Sequence, residues 1–311
     1  MINIRRYYNQ NRKKIWGVII IVASAFILIQ LLNSVLQANH DKTQNIISNN
    51  EEKKINTENS KLTANTSAIT GEKISNERLE NATKIIDDFI NCCNKKELEK
   101  AYNMLTDKCK EEMYNSLEDF EKSYYEDVFG GESKTCNIEN WANNTYKVNI
   151  MNDSLATGKS NNGYSKEDYI TIEKVKDDYK LNINNYIGYK EIKNTTEKEN
   201  VKIEVLGKDS YKDYEKYTIN VENNTQKTIV LDDLSSSKTL YLKDSNDVKY
   251  YCYNHELSKS MLTIKPGQTK KVTIKFYNTY TSNRKIKSIL FSKLSLYDGE
   301  LSEEIEFKAN I

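Results

Sequence analysis

Few residues in this chain have types and spacing that suggest chemistry. Cys252 and His255 stand at Cys-x-x-His spacing, but a structural zinc site needs four ligands, and the next cysteine, Cys136, lies more than a hundred residues upstream. The other histidine, His40, falls in a polar stretch. Cys92, Cys93, Cys109, Cys136 and Cys252 are an odd number and cannot all pair within the chain. Four of them fall close enough in sequence for one disulfide, and the alternative is that all five are small buried hydrophobes. No glycine-rich phosphate loop, Gly-x-Ser-x-Gly elbow or His-Glu-x-x-His occurs. Lys95-Lys96 and Lys270-Lys271 are isolated pairs outside any longer cationic run, so no basic stripe for nucleic acid emerges. No metal, cofactor or catalytic residue is therefore expected.

The elements that would have to position a site begin with the run from Ile15 to Leu36. From Ile15 to Leu32 nothing is charged, and roughly 18 residues at ~1.5 Å each approach the ~30 Å core of a bilayer. The preceding residues 1–14 carry Arg5, Arg6, Arg12, Lys13 and Lys14, and no acidic residue occurs before Asp41, which predicts a cytoplasmic N-terminus and an exported remainder. Trp16 would sit at the first interface. The competing reading is a cleaved signal peptide, with Ala23-Ser24-Ala25 as its small-residue site. The apolar run continues through Phe26-Ile27-Leu28-Ile29 past that triplet, which favours an uncleaved single-pass anchor whose partner is the lipid bilayer.

Composition agrees with folded domains plus a solvated segment. With 46 basic and 45 acidic side chains the net charge is +1, so no global field draws polyanions. The 22 tyrosines supply rings for a core and hydroxyls for its edges. The Lys, Asn, Ile and Glu bias with a single proline is a coding bias of an AT-rich bacterium. Residues 37–74 contain no Phe, Trp or Tyr and read as a disordered tether, spanning about 35 Å as a flexible coil.

From Ser75 the pattern is helical. Leu79, Ala82, Ile86, Phe89, Ile90 and Cys93 recur at three- and four-residue spacing. Asn94 with Glu97 resembles a capping box opening a second helix with Leu98, Ala101, Tyr102 and Leu105. A third stretch, broken near Asn115-Ser116, carries Met113, Leu117, Phe120 and Tyr124, and Gly130-Gly131 ends the helical part. The period then becomes two: Tyr146, Val148 and Ile150; Ile170 and Ile172; Tyr179, Leu181 and Ile183. Helices first and strands after predict an α+β domain over 75–194. The order "FINCCNKKELEKAYNMLTDKCKE", "LEDFEKSYYEDVF", "YITIEKVKDDYKLNI" resembles the nuclear-transport-factor-like cone superfamily over about residues 76 to 192.

After Asn194-Thr195-Thr196 only alternating strands remain, including Val201, Ile203 and Val205; Tyr217, Ile219 and Val221; Val272, Ile274 and Phe276; and Ile305, Phe307 and Ala309. Residues 195–311 are predicted to be an all-β sandwich. "YTINVENNTQKTIVLDDL" and "LTIKPGQTKKVTIKF", the latter with the only proline, Pro266, resemble strands of extracytoplasmic immunoglobulin-like modules, which are mostly binding or spacer domains.

The cone resemblance implies one more chemical test, because such folds include isomerases and dehydratases. No histidine lies between Lys73 and Lys198, leaving Asp87, Asp88, Tyr102, Tyr114 and Tyr146 as the available types. Helical spacing puts Asp87 and Asp88 on or beside the solvated face, and the tyrosines read as core or pocket lining. The resulting expectation is a non-enzymatic, membrane-anchored, extracytoplasmic interaction or scaffold protein of the bacterial envelope, with protein partners or self-association. One version resembles scaffold subunits of conjugation or secretion machines; the appended sandwich departs from them. The alternative is an exported protein that binds or senses a small ligand in the cone pocket.

Overall fold

The computed structural model describes residues 60–67, 69–154, 158, 165–236, 238–281, 283–299 and 301–311. Ser75 starts the first helix, α1 (Asn76–Asn94), accepting the Arg78 N–H at 3.2 Å. Its buried face is the stripe Leu79, Ala82, Ile86, Phe89, Ile90 and Cys93. The second helix, α2 (Leu98–Asn103), does not open on a capping box, because its N-cap is Glu97 and makes no side-chain cap bond. Asn94 is used elsewhere: it donates to the Lys134 carbonyl and accepts from the Lys134 amide, both at 2.8 Å. Thr106 caps α3 (Asp107–Met113) and Ser116 caps α4 (Leu117–Phe120), so the break at Tyr114–Ser116 is where one helix ends and the next is capped. A π-helical turn (Glu121–Tyr125) then leads into α5 (Glu126–Val128). Gly130 and Gly131 take φ of 53° and 76°, the left-handed backbone that ends a helix at little cost.

These helices cover one face of a five-stranded sheet of order β1-β2-β3-β4-β5. Its strands are β1 (Ser60–Ala64), β2 (Lys134–Ala142), β3 (Thr145–Asn152), β4 (Ser165–Val175) and β5 (Asp178–Asn182). The pairing is antiparallel except that β1 runs parallel to β2, with Ser60 opposite Cys136. Ser60–Ala64 falls in the stretch read from composition as tether. Pairing on a sheet edge is a backbone matter, which a lack of aromatic residues does not report.

The chain then enters β6 (Tyr186–Lys198), which continues past Asn194 with a bulge between Glu191 and Asn194 and pairs with β7 (Val201–Tyr211). With β8 (Tyr214–Asn223) and β13 (Thr269–Tyr277) they form a four-stranded antiparallel sheet of order β13-β8-β7-β6. The facing sheet is built on β14 (Ile286–Asp298), flanked on one side by β15 (Leu301–Asn310). On the other side lie β10 (Leu240–Asp244) with β11 (Lys249–Tyr251), and β9 (Thr228–Val230) with β12 (Thr263–Ile264). A short helix, α6 (Lys259–Leu262), precedes β12. Ile203, Val205, Ile219 and Ile274 from one sheet meet Leu242, Ile289, Phe291 and Phe307 from the other.

The helices and the five-stranded sheet have their own core, which also takes in Tyr211 from β7, and a third apolar cluster of Trp141, Ala142, Tyr169 and Ile187 lies between the two parts. Positions 168 to 172 of β4 are accordingly all buried. One face of the strand meets the helices and the other meets the sandwich.

This corrects the expected fold class. The protein is mostly β, with helices concentrated between residues 76 and 128, rather than an α+β chain carried on an N-terminal transmembrane helix. Among the described residues no helix is long and apolar enough to cross a membrane. The run Ile15 to Leu36, the basic tail and residues 37–59 of the tether lie outside the described residues, so the single-pass membrane reading has no support in the structure.

Candidate functional site

The residues singled out for chemistry do not converge. Cys252 is buried at a β-bridge to Phe276 and its thiol contacts the Asn254 side chain. His255 sits exposed in the turn that follows, against Tyr253 and Glu256. Among the described residues no group of three or more His, Cys, Asp and Glu is placed to hold a metal. All five cysteines are free thiols. Burial pushes Cys109 and Cys252 up to about 12 and raises Cys93 and Cys136 as well, which suppresses the thiolate that a nucleophile requires. Asp88 is exposed, while Asp87 is half-buried and accepts from the Cys136 thiol at 3.7 Å. The Tyr102 hydroxyl donates to the Tyr114 carbonyl at 3.0 Å.

The buried acidic groups Asp168, Glu215, Asp232 and Asp244 escaped the sequence reading. Asp168, 1% exposed, accepts from the Tyr124 hydroxyl at 2.9 Å and from the backbone N–H groups of Asn184 and Asn185 at 3.0 and 2.9 Å. Both asparagines have left-handed φ, 58° and 64°, a conformation Asn tolerates better than most residues. That turn aims two successive amides at one carboxylate. Burial, and then the neighbouring carboxylate, hold the Tyr124 phenol far above its ordinary pKa, so it remains a donor. Its ring lies against Phe120 at 5.7 Å and Phe89 at 6.1 Å. Neither cleft described below is lined by Asp168 or Tyr124. The pair is a buckle between the π-helical turn, β4 and the β5–β6 turn, set apart from both of these clefts. The available signal was parity: Asp168 shares the inward face of β4 with Ile170 and Ile172.

Two clefts open on the surface. The first, about 370 Å³, lies between α1 and the five-stranded sheet and is lined by Arg78, Ala82, Ile85, Tyr146, Ile172 and Tyr179 among others. Arg78 closes one end by donating to the Asn143 carbonyl and the Asn144 side-chain oxygen, each at 2.7 Å. Tyr146 is thus the one nominated tyrosine that lines a cleft.

The second cleft, about 490 Å³, opens at the seam where the five-stranded sheet meets the sandwich. The seam is held by Glu112 of α3, which accepts from the Tyr211 hydroxyl and pairs with Lys216. Trp141 packs on Tyr280 at 5.7 Å and on Tyr169 at 4.4 Å. Glu167 of β4 binds Lys147 at 2.7 Å and reaches Lys212 of the sandwich at 3.3 Å. The Lys147 hydrogen bond is the largest of the influences that lower Glu167 to about 2.

From the seam a run of tyrosines leads outward over the sandwich. Tyr186 packs on Tyr211 at 5.2 Å, Tyr211 stacks on Tyr214 at 4.2 Å, Tyr214 meets Tyr253 at 6.2 Å, and Tyr253 stacks on Tyr277 at 3.3 Å. Lys275 lies over both Tyr214 and Tyr253, at 4.0 and 4.5 Å from their ring centres, and its ammonium pairs with Glu256 at 2.9 Å. Tyr277, at the outer end, is 49% exposed.

No protein-family model matches the chain, and no curated protein matches it. Among solved structures, it is similar to a conserved hypothetical protein from Bacillus anthracis at 13% identity and a TM-score of 0.23, over 38% of this chain and 96% of that one. A likeness that weak carries no argument about fold or function.

Proposed function

We propose that this chain is a non-enzymatic interaction protein whose two parts act as one rigid arm, contacting a protein partner through the tyrosine platform of the sandwich. The observation that carries this reading is the pre-packed set Tyr214, Tyr253 and Tyr277, the first pair edge to face and the second stacked, pinned by Lys275 and exposed at its outer end. Rings already held in place lose little freedom on binding, and tyrosine supplies broad contact area with a polar tip, so such a patch suits a binding hot spot. The seam supports the arm, because β6 is continuous from the cone side into the sandwich sheet and Glu112 ties α3 to Tyr211 and Lys216. The nuclear-transport-factor-like and immunoglobulin-like assignments belong to the same proposal, supported by helices packed on one sheet followed by two facing sheets.

The test places a photo-crosslinking residue at position 277 in the full chain within its own cells. A single recurrent protein partner is expected, and Tyr253→Ala should weaken its binding about 30-fold, the loss of roughly 2 kcal/mol typical of a hot-spot aromatic. If no protein is captured at position 277, or if capture is unaffected by Tyr253→Ala, the reading is wrong.

A further inference from the structure

The seam cleft has a floor unlike that of either core. Thr145, Thr171, Ser210, Glu215 and Asn278 are all buried and all line it. Burying polar groups is costly unless each is bonded, so their arrangement indicates what the cleft can offer a visitor. The Thr145 and Thr171 hydroxyls bond each other at 2.8 Å. Glu215 is fixed by three donors: Lys208, the Tyr217 hydroxyl at 2.9 Å and the Asn278 amide at 2.6 Å. Arg284 donates to the Asn278 side-chain oxygen and to the Thr279 carbonyl at 2.6 Å, using one nitrogen for both. Across the cleft Glu173 is steadied by the Asn182 amide at 2.6 Å. Gly188 permits that approach: a Cβ there would lie 2.7 Å from the Glu173 carboxylate oxygen and 3.0 Å from the Asn182 nitrogen. The Ser210 hydroxyl, on a residue 6% exposed, lines this space with no hydrogen-bond partner among the described residues.

We infer that this cleft binds a polyhydroxylated ligand, a saccharide of about one or two rings, which suits a volume in the ordinary ligand-pocket range. A sugar hydroxyl both donates and accepts, and here held carboxylates (Glu173, Glu215) stand beside held donors (Lys208, Asn278, Arg284) and an unused hydroxyl (Ser210). Tyr189 and Tyr280 at the border offer apolar ring surface to the C–H side of a pyranose. An apolar ligand would meet mainly polar groups, with Ile187 and Ile286 as the aliphatic lining. A phosphate would face two carboxylates, and the Lys208 ammonium is already paired with Glu215.

The experiment titrates the full chain with neutral hexoses, N-acetylhexosamines, uronic acids and their disaccharides at up to ~10 mM, with inorganic phosphate as a separate arm. That ceiling reaches weak millimolar binders, and saturation-transfer NMR and thermal shift provide the readouts. At least one saccharide should bind, and Ser210→Ala and Glu173→Gln should each weaken it about tenfold, the loss expected for one hydrogen bond to the ligand. The melting temperatures of both variants should stay within about 3 °C of the parent, since each change alters one polar group without opening a cavity. Binding by the neutral or the acidic sugars identifies which source supplies the ligand. The inference is overturned by no saccharide binding, by binding indifferent to both variants, or by phosphate as the only ligand retained.

Discussion

Tyr124→Phe removes one oxygen from a fully buried polar contact and leaves its ring stacked on Phe120 and tilted against Phe89. The Asp168 carboxylate then keeps its two amide donors, at 3.0 and 2.9 Å, but loses the 2.9 Å hydroxyl. A hydrogen bond to a buried charged acceptor is worth about 1.5–3 kcal/mol, and with two of three donors remaining a cost of about 2 kcal/mol is expected. For a folded unit of this size that corresponds to a fall of roughly 4–8 °C in melting temperature, or a lower urea midpoint at unchanged slope. Tyr114→Phe, in the same aromatic cluster, is the internal contrast. The Tyr114 hydroxyl is buried and has only a poorly aligned approach from the Asn184 side chain in place of a full hydrogen bond, so removing it should change stability by less than about 0.5 kcal/mol. Urea denaturation of both variants decides the matter. A Tyr124→Phe cost below about 0.5 kcal/mol, or equal costs at the two positions, would refute the buckle and the assignment of its donors.

Two further predictions concern pH. Burial raises the pKa of Asp232, whose Oδ2 has no partner among the described residues. Below its unfolded value of about 3.9 both states hold the proton and no penalty arises; as pH rises past that value the folded state holds the proton longer and stability falls. Asp232→Asn should therefore gain about 1 kcal/mol over the parent at pH 7 and nothing at pH 3.5 in urea melts, and a gain independent of pH would count against this account. Glu167 has the opposite sign: lowered to about 2, it contributes stability above its ordinary value of about 4.3 that is lost as pH falls through about 2. Its side chain is 38% exposed, so Glu167→Gln should cost at most about 1 kcal/mol at pH 7, with the difference closing by pH 2; the same cost at both ends would remove Glu167 from the seam.

The period of three and four that marks Leu79, Ala82, Ile86, Phe89, Ile90 and Cys93 corresponds to the buried face of α1, because a helix has one inward stripe and a local pattern records it. Alternation did the same for Ile203 and Val205 and for Ile219 and Val221. What escaped was everything set by a second neighbour. Trp141 and Tyr169 are buried on the outer face of the five-stranded sheet, where a one-sided reading places solvent. Strand β1 depends on backbone pairing that composition does not encode, and β6 crosses Asn194-Thr195-Thr196, a polar triplet where the sequence pattern places a domain boundary and the chain keeps a strand. Of the candidate residues, only Tyr146 reached a cleft; the seam cleft is assembled from positions 143 to 286, none of them adjacent to a recognisable motif.

The seam is also where local rules give way most. A joint meant only to hold two domains could be made from residues like Trp141, Ile187 and Tyr280, and part of it is. Beside that apolar half the protein buries Glu215, Asn278, Ser210, Thr145 and Thr171, and holds the Glu215 carboxylate with three donors. Buried ionic networks seldom add stability over an apolar packing of equal volume, so stability is a poor account of this half. Geometry is a better one: the same donors that satisfy Glu215 fix its direction, and the Asn182–Glu173 bond over Gly188 does the same on the opposite wall. A polar wall held rigid on both sides of an open volume is the expected form of a site that recognises hydroxyls. The tyrosine run that begins at Tyr186 and Tyr211 starts from this same joint, so an occupant of the cleft and a partner on the platform would bear on one set of contacts.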